Sequence, residues 1–284
     1  YHVGLAGEHS TMAETEIREG QSIELLKALH ILTRDGKMNQ DSRRKLKQVY
    51  HLFQFIEPLL KQVDSGDLSL VDHGAGKSYL GFILYDLFFK QRADASTIHG
   101  IETRAELVDS TRALARRLGF DRMHFHHLSV AESIVSEALP AKVDVVTALH
   151  ACDTATDDAI SFALKKQARF IVLVPCCQAE LARALNQSKA LNLQRTPLAE
   201  LWRHPLHTRE MGSQLTNVLR CLYLESQGYS VTVTELVGWE HSMKNELILA
   251  KYTGQKKRSA RERLEALLTE FGLTALAEAR YPAR

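Results

Sequence analysis

The chain has 284 residues, of which 45% are hydrophobic and 25% charged, and its formal net charge is +2. These values are ordinary for a globular protein with a full hydrophobic core, and they neither require nor exclude a nucleic-acid partner. Because the sequence has no apolar run long enough to span a bilayer and no signal-peptide pattern, we expect a cytoplasmic protein without membrane segments.

Residues 1–66 are predicted to form an N-terminal helical region. We expect the natural start at Met12, and residues 1–11 are therefore left out of the fold prediction. Apolar residues at three- and four-residue spacing predict one helix over residues 13–34. A second helix is predicted from Asp41, as its N-cap, to residue 63, with a kink or a break at Pro58.

From residue 67 onward, short apolar runs alternate with amphipathic helical segments. The runs LSLVDHG, TIHGIET, MHFHHLSV, VDVVTALH and RFIVLVPCC predict parallel strands that are covered on both faces. Two later runs, YSVTVTELVGW and NELILAKYT, are joined by the short stretch EHSMK, which predicts an antiparallel pair. The predicted fold class is therefore α/β, with a Rossmann-like, mostly parallel sheet of seven strands and a C-terminal antiparallel hairpin, preceded by helices. Residues 67–253 form this domain, and residues 254–284 form a basic linker and one amphipathic helix.

The stretch VDHGAGKSYLG follows the first predicted strand and has features of three nucleotide-binding loops. A P-loop would need its first glycine at Val71, which belongs to the strand. A dinucleotide-binding loop would need its third glycine at Tyr79. Asp72 at the end of the strand, followed by Gly74 and Gly76, fits best a loop that holds the amino-acid part of S-adenosylmethionine.

The ends of the second and third predicted strands fit the same ligand. Glu102 ends the second strand, where a carboxylate can accept hydrogen bonds from the two hydroxyls of a ribose. The third strand leads into Ser129 and Val130, whose backbone groups would lie near an adenine edge. The C-terminal antiparallel hairpin is absent from the simple doubly wound dehydrogenase pattern, and it therefore argues against a nicotinamide-dependent oxidoreductase, which is kept as an alternative.

With these features the chain resembles the class I S-adenosylmethionine-dependent methyltransferases over roughly residues 67–253. The stretches that carry the resemblance are VDHGAGK (71–77), GIET (100–103), ALHACD (148–153), VPCCQ (174–178) and SMKNELILA (242–250). The resemblance implies S-adenosyl-L-methionine as the cofactor, with further cofactor contacts from Ala75, Tyr79, Thr103 and Leu149.

Within that superfamily, the motif LH-x-C after the fourth strand and P-C-C after the fifth resemble one subgroup. It includes tRNA ribose 2′-O-methyltransferases and methyltransferase-like proteins, and its members usually show LH-x-C-G and C-C-x-H. This chain has Asp153 in place of the glycine and Ala179 in place of the last histidine. The resemblance implies an RNA acceptor, while a protein or a small-molecule acceptor and a cofactor-binding but inactive scaffold stay open.

The candidate catalytic residues follow the fourth and fifth strands and are His150, Cys152, Asp153, Cys176 and Cys177. Three interpretations stay open for the cysteines: apolar lining of the crevice, positioning of the methyl acceptor, and a zinc site. The usual C-x-x-C pairs are missing, and we therefore predict no metal ion. A hydroxyl acceptor would need a general base, for which His150 and Asp153 are the candidates.

Two basic clusters are candidates for contacts with RNA phosphates. The first lies at residues 43–47 and the second at residues 256–263. Solvated helix faces have the same composition, and no RRM or KH signature is present. The prediction of an RNA substrate therefore depends mainly on the resemblance.

Overall fold

The computed structural model describes residues 17–63, 66–149, 151–175, 178–188, 197–236 and 245–283. These residues divide into two compact units. Unit 1 runs to His127 and also contains Leu236, and unit 2 contains Leu128–Glu235 and the C-terminal part from residue 245.

The strands are β1 (Ser69–His73), β2 (Thr97–Glu102), β3 (Met123–His127), β4 (Val145–Leu149), β5 (Phe170–Val174), β6 (Tyr229–Glu235) and β7 (Glu246–Tyr252). They form one seven-stranded sheet with the order β3-β2-β1-β4-β5-β7-β6. In unit 1, β2 pairs in parallel with β1 and β3, and in unit 2, β4 pairs in parallel with β5. Strand β7 is antiparallel to both β5 and β6. The predicted fold class and the C-terminal antiparallel pair are confirmed.

The strands of unit 2 explain why their sequences are continuously apolar. All residues of β5 are buried, and so are the first four residues of β4. In a strand that is covered on both faces, side chains on both sides are buried, so apolar and polar residues do not alternate along it. Such strands are typical of parallel sheets.

Unit 1 contains four α-helices and a short 3₁₀ helix among its described residues. These are α1 (Ile23–Ala28), α2 (Gln40–Lys61), α3 (Tyr79–Leu87), the 3₁₀ helix Phe89–Gln91 and α4 (Ala105–Leu118). The prediction of one helix over residues 13–34 is wrong in its described part, where only α1 is helical. Ser22 begins α1, because its Oγ accepts the N–H of Leu25 at 3.1 Å. The left-handed backbone of His30, with φ of 55°, prevents the helix from continuing.

Helix α2 differs from its prediction at both ends. It is capped by Asn39, whose Oδ1 accepts the N–H of Ser42 at 2.8 Å, and Asp41 lies in the first turn. Of the predicted kink or break at Pro58, the break is absent, because α2 continues to Lys61 with the proline inside it. Buried side chains on both sides of the proline, including Leu60, hold the last turn against the core.

Unit 2 contains the remaining described helices. These are α5 (Val130–Val135), α6 (Ala155–Lys165), α7 (Glu180–Ser188), the 3₁₀ helix Pro197–Trp202, α8 (Pro205–Ser226), α9 (Arg258–Glu270) and α10 (Leu276–Arg280). Helix α9 is the amphipathic helix predicted for the tail, and it packs against α8 through the buried residues Ala260, Leu264 and Leu268. Across all the helices that the structure describes, we find none that is both long and apolar enough to cross a membrane.

Candidate functional site

The glycine-containing turn after β1 lies at the carboxyl end of the strand, where α/β sheets bind ligands. Asp72 is buried and lies opposite Gly100 of β2. The hydroxyl of Ser78 donates to Oδ2 of Asp72 at 3.2 Å, so the serine of the P-loop-like GKS tail supports the acidic residue. Gly74 and Gly76 have φ of 68° and 57°, a region that glycine enters without steric cost.

Gly100 makes room for this turn from the neighbouring strand. A Cβ atom at position 100 would lie 2.6 Å from the ring of Phe125 and 3.4 Å from the Cβ of Ala75. The absence of a side chain therefore lets the turn approach β2 closely. A glycine inside a predicted strand is a sequence signal for such an approach, but it was not among the predicted site residues.

Glu102 ends β2 with a buried carboxylate that is fully hydrogen-bonded. Its Oε2 accepts the N–H of Gly76 at 2.8 Å, and its Oε1 accepts the N–H groups of Thr103 and Arg104 at 2.9 and 3.1 Å. Burial alone would raise the pKa of this carboxyl, but the hydrogen bonds from Arg104 and Gly76 outweigh it and lower the pKa to about 2. The structure thus joins Glu102 and Gly76, two residues that the sequence placed in one cofactor site, in a direct contact.

Arg104 is a site residue that the sequence reasoning missed. Its Nε donates to Oε1 of Glu102 at 3.0 Å and its Nη2 donates to Oε2 at 3.1 Å, so the guanidinium covers both carboxylate oxygens. The Arg104 side chain is 60% exposed. An ion pair with one exposed partner contributes little stability, so Arg104 can leave Glu102 at small cost when a ligand hydroxyl approaches.

The other predicted cofactor residues lie at the ends of elements in both units. In unit 1, Ala75 is half-buried in the turn, whereas Tyr79, the first residue of α3, and Thr103 are exposed. In unit 2, Ser129 caps α5 in a capping box with Glu132, Val130 begins that helix, and Leu149 ends β4. The capping box uses both the side chain and the backbone N–H of Ser129, which donates to Glu132 at 2.7 Å, so the contact of Ser129 with an adenine edge stays a prediction.

Asp153 follows β4 in a left-handed conformation with φ of 52°. Its Oδ1 accepts the N–H groups of Ala179 and Glu180, both at 2.9 Å, at the start of α7. Its Oδ2 forms an ion pair with Arg183 at 3.0 Å. Partial burial alone would raise the pKa of this carboxyl, but these hydrogen bonds lower it. Such a carboxylate is a weak proton acceptor, and the contacts favour positioning of the loop over general-base chemistry.

A buried polar network in unit 2 lies behind Asp153. The fully buried guanidinium of Arg220 in α8 donates to both oxygens of Asp157 in α6, at 2.8 and 2.6 Å. Another N–H of Arg220 donates to the backbone oxygen of Asp153 at 2.9 Å. The sequence reasoning missed this network because its members are far apart along the chain.

The network extends to the end of β5 and the beginning of β7. Asn217 of α8 donates through Nδ2 to Oε2 of Glu246 at 2.7 Å, and its Oδ1 lies 2.7 Å from the side-chain amide of Gln178. Ser213 also contacts the side chain of Gln178. The three residues Ser213, Asn217 and Gln178 are all buried, so their positions are determined by the fold.

Three of the predicted catalytic residues, His150, Cys176 and Cys177, lie outside the described residues. Cys152 is exposed and does not form a disulfide. No group of three or more metal-ligating side chains occurs in the part of the chain that the structure describes. Because the three residues named above are not in that part, the zinc interpretation stays open.

Several side chains of the two basic clusters form ion pairs with nearby carboxylates. In the first cluster, Arg44 and Lys45 both pair with Asp41. The second cluster forms ion pairs along α9 and with α8; the pairs are Lys257–Glu225, Arg258–Glu262, Arg261–Glu265 and Arg263–Glu225. Their local charge is therefore lower than the counts of lysine and arginine indicate.

Comparisons with known proteins agree with a methyltransferase. Residues 44–184 match the model of a family described as a methyltransferase domain. The chain is 28% identical over 115 residues to ribosomal RNA small subunit methyltransferase G of Streptococcus gordonii, covering 39% of this chain and 46% of that protein. It is 24% identical over 233 residues to a human glutathione S-transferase C-terminal domain-containing protein, covering 76% of this chain and 34% of that protein. The chain thus spans less than half the length of these curated relatives.

A solved structure of magnesium protoporphyrin IX methyltransferase from Synechocystis with bound S-adenosylmethionine is 13% identical, with a TM-score of 0.47. The structural match covers 88% of this chain and the whole of the Synechocystis methyltransferase chain. The match to the methyltransferase-domain family and the mostly parallel sheet with antiparallel C-terminal strands together support a class I methyltransferase.

Proposed function

We propose that the protein is a cytoplasmic S-adenosylmethionine-dependent methyltransferase that acts on RNA and resembles the subgroup with LH-x-C and P-C-C motifs. The observation that carries the cofactor is the contact between Glu102 and the N–H of Gly76. It joins an ionised, buried carboxylate at the end of β2 to a turn that has no side chain at its two glycines. This is the chemistry that a ribose and an adjoining amino-acid group require.

Each residue of this site has a separate role in the proposal. When bound, S-adenosylmethionine supplies a methyl group that its sulfonium already activates. Glu102 would accept hydrogen bonds from the ribose hydroxyls in place of those that Arg104 now donates to it. Asp72 would hold the ammonium of the amino-acid part, directly or through water, and Gly74 and Gly76 would let the backbone approach. The protein contributes alignment and exclusion of water, as an in-line displacement requires.

The acceptor end of the proposal lies after β4 and β5. His150, Cys152, Cys176 and Cys177 position the acceptor, and His150 removes a proton where the acceptor is a hydroxyl. Asp153 holds the loop in place through its cap of α7. The similarity to a ribosomal RNA methyltransferase supports RNA as the acceptor over a protein or a small molecule.

Cofactor binding is tested by isothermal titration of the chain with S-adenosylhomocysteine, NAD and ATP. We expect binding of S-adenosylhomocysteine alone, and a loss of about tenfold or more in affinity for Glu102→Gln, since hydrogen bonds to a charged group contribute roughly 1.5–3 kcal/mol. The matched control is Glu106→Gln, an exposed carboxylate in the first turn of α4, which should bind like the wild type. Binding of NAD in place of S-adenosylhomocysteine would favour an oxidoreductase and overturn the proposal.

The acceptor is tested by transfer of a tritiated methyl group to separate RNA, protein and metabolite fractions of a cell extract. Label in RNA that depends on Glu102 supports the proposal. Label in protein or in metabolites would retain the methyltransferase and replace the acceptor. Binding of S-adenosylhomocysteine without any transfer would indicate an inactive scaffold.

A further inference from the structure

A groove in unit 2 has two ends of different chemistry, and neither end is part of the cofactor site described above. The inner end is polar and is lined by Pro175, Glu210, Ser213 and Asn245. The outer end is mostly apolar and is lined by Val218, Leu222 and Val233. Gln214, Asn217 and Glu246 line both ends, so the two hollows lie side by side, and we call them together the groove.

The inner end lies where a Rossmann-like sheet binds its substrates. Pro175 directly follows the carboxyl end of β5, and the next residues in sequence are the candidate catalytic cysteines. Because β7 runs antiparallel to β5, with Leu173 opposite Ile248, the beginning of β7 at Glu246 lies beside the end of β5. Ligands of such sheets bind beyond the carboxyl ends of the parallel strands.

The buried network holds the polar groups of the inner end in fixed orientations. Asn217 donates to Glu246 at 2.7 Å, and its Oδ1 accepts from Arg220 at 3.3 Å and lies 2.7 Å from the side-chain amide of Gln178. Ser213 contacts Gln178 from the same helix face. A polar site whose members are held by packing and by further hydrogen bonds is pre-organised for a ligand.

The charge of the groove selects the kind of group that it can bind. Its lining includes the carboxylates of Glu246 and of Glu210, which pairs with the neighbouring Arg209 at 3.2 Å, and no lysine, arginine or histidine among the described lining residues. A phosphate would therefore be repelled, whereas N–H donors would be attracted. Ammonium and guanidinium groups have donors only, and they would offer no acceptor to the exposed side-chain amide N–H groups of Gln214.

The edge of a nucleobase that carries an amino group presents both donors and acceptors. Glutamate accepts from such an amino group, and asparagine or glutamine can pair with a donor and an acceptor together. The apolar outer end, with Val218 and Val233 each about half exposed, offers contact to a ring face. Adenine, cytosine and guanine have this edge, and uracil lacks the amino group.

We propose that this groove binds the base of the RNA nucleotide that accepts the methyl group, through a base edge that carries an amino group. The proposal builds on the proposed function and names the part of the substrate that the protein recognises. Phosphates of the same RNA would contact other surfaces, since the groove has no cation among its described lining residues.

The test measures fluorescence anisotropy of labelled oligo-A, oligo-C, mixed A/C/G and oligo-U RNAs, with and without saturating S-adenosylhomocysteine. We expect tighter binding of at least one amino-bearing RNA than of oligo-U. We further expect Glu246→Gln and Glu210→Gln to weaken that binding by about tenfold, the effect of losing a hydrogen bond to a charged group. Methyl transfer, where it occurs, should show a raised KM with the affinity for S-adenosylhomocysteine unchanged.

The control is Glu262→Gln, because this exposed carboxylate of α9 pairs with Arg258, four residues earlier in the same helix. It should bind RNA like the wild type. Thermal unfolding of each variant shows whether it folds, and Glu210 is exposed, so its variant separates recognition from stability. Equal binding of oligo-U, or wild-type affinity in both glutamine variants, would overturn the groove proposal.

Two further outcomes distinguish this proposal from the proposed function. If the wild type binds no S-adenosylhomocysteine but binds an amino-bearing RNA more tightly than oligo-U, and Glu246→Gln removes this difference, the groove proposal stands and the methyltransferase proposal fails. If methyl groups go to lysine or arginine side chains of proteins and Glu246→Gln abolishes that transfer, the groove recognises a basic side chain and the nucleobase proposal is overturned.

Discussion

Replacement of Asp153 separates the two roles that this residue could have. The sequence left it as a candidate general base, whereas the structure gives it hydrogen bonds to Ala179 and Glu180 and an ion pair with Arg183. Asp153→Ala removes all of these contacts. Asp153→Asn keeps an oxygen for the two N–H groups and removes only the charge, and asparagine tolerates a left-handed backbone well.

The cost of each variant follows from its lost contacts. A side-chain cap of a helix contributes about 1 kcal/mol, and an ion pair with exposed partners contributes about 0.5 kcal/mol. Alanine at a φ of 52° adds strain of up to about 1 kcal/mol relative to aspartate. We therefore expect Asp153→Ala to lower the free energy of unfolding by about 2 kcal/mol, and Asp153→Asn by about 0.5 kcal/mol.

Urea unfolding and methyl transfer on the same preparations test this reasoning. A loop-positioning residue predicts that Asp153→Asn keeps most of the transfer activity, because its amide oxygen still caps α7. A general base predicts that Asp153→Asn loses activity as fully as Asp153→Ala, because an amide cannot take the proton. Wild-type stability of Asp153→Ala together with loss of transfer in both variants would refute the positioning role.

Three further predictions concern the strand β2, the ionised carboxylate at its end, and the thiols. Gly100→Ala should lower the free energy of unfolding by about 1–3 kcal/mol, because the new Cβ would lie 2.6 Å from the Phe125 ring. In urea unfolding, the double variant Gly100→Ala/Phe125→Leu should regain part of the lost free energy. No regain in the double variant would contradict the steric cause. Because the folded-state pKa of Glu102 is about 2, below its ordinary value of 4.5, the ionised carboxylate stabilises the fold above about pH 5, and this contribution is lost as the pH falls toward 2. Glu102→Gln should therefore flatten the dependence of the free energy of unfolding on pH between about pH 5 and pH 2. An unchanged slope in this variant would show that the Glu102 carboxylate is not the source of the pH dependence. Burial raises the pKa of the Cys221 thiol to about 12, so iodoacetamide should label the exposed Cys152 well before Cys221 in time-resolved mass spectrometry, and equal rates would contradict this.

The sheet could be predicted from the sequence because its evidence is local. Each strand appears as its own apolar run, and the short link between the last two strands permits only an antiparallel pair. The same kind of evidence placed the glycine turn, since a strand, an acidic residue and two glycines are adjacent in the sequence. Glu102 was predicted for the same reason, as it ends the next apolar run.

The contacts that complete the sites could not be predicted, because they join residues that are distant in sequence. Arg220 and Asp157 are 63 residues apart, and Asn217 and Glu246 are 29 residues apart. Arg104 is only two residues from Glu102, but nothing in the sequence shows that its guanidinium folds back onto the carboxylate. The α1 helix was overpredicted because apolar spacing alone does not reveal where a cap or a left-handed residue ends a helix.

The departures of this chain from the subgroup pattern, at Asp153 and Ala179, are in contact with each other. Oδ1 of Asp153 accepts the N–H of Ala179 at 2.9 Å. The φ of 52° at Asp153 lies in the region that favours glycine, so the loop keeps the backbone that a glycine at this position adopts readily. The added carboxylate caps α7, and the oxygen of its own backbone accepts from the buried guanidinium of Arg220. The aspartate therefore changes what stabilises the loop while leaving its backbone in a glycine-like conformation.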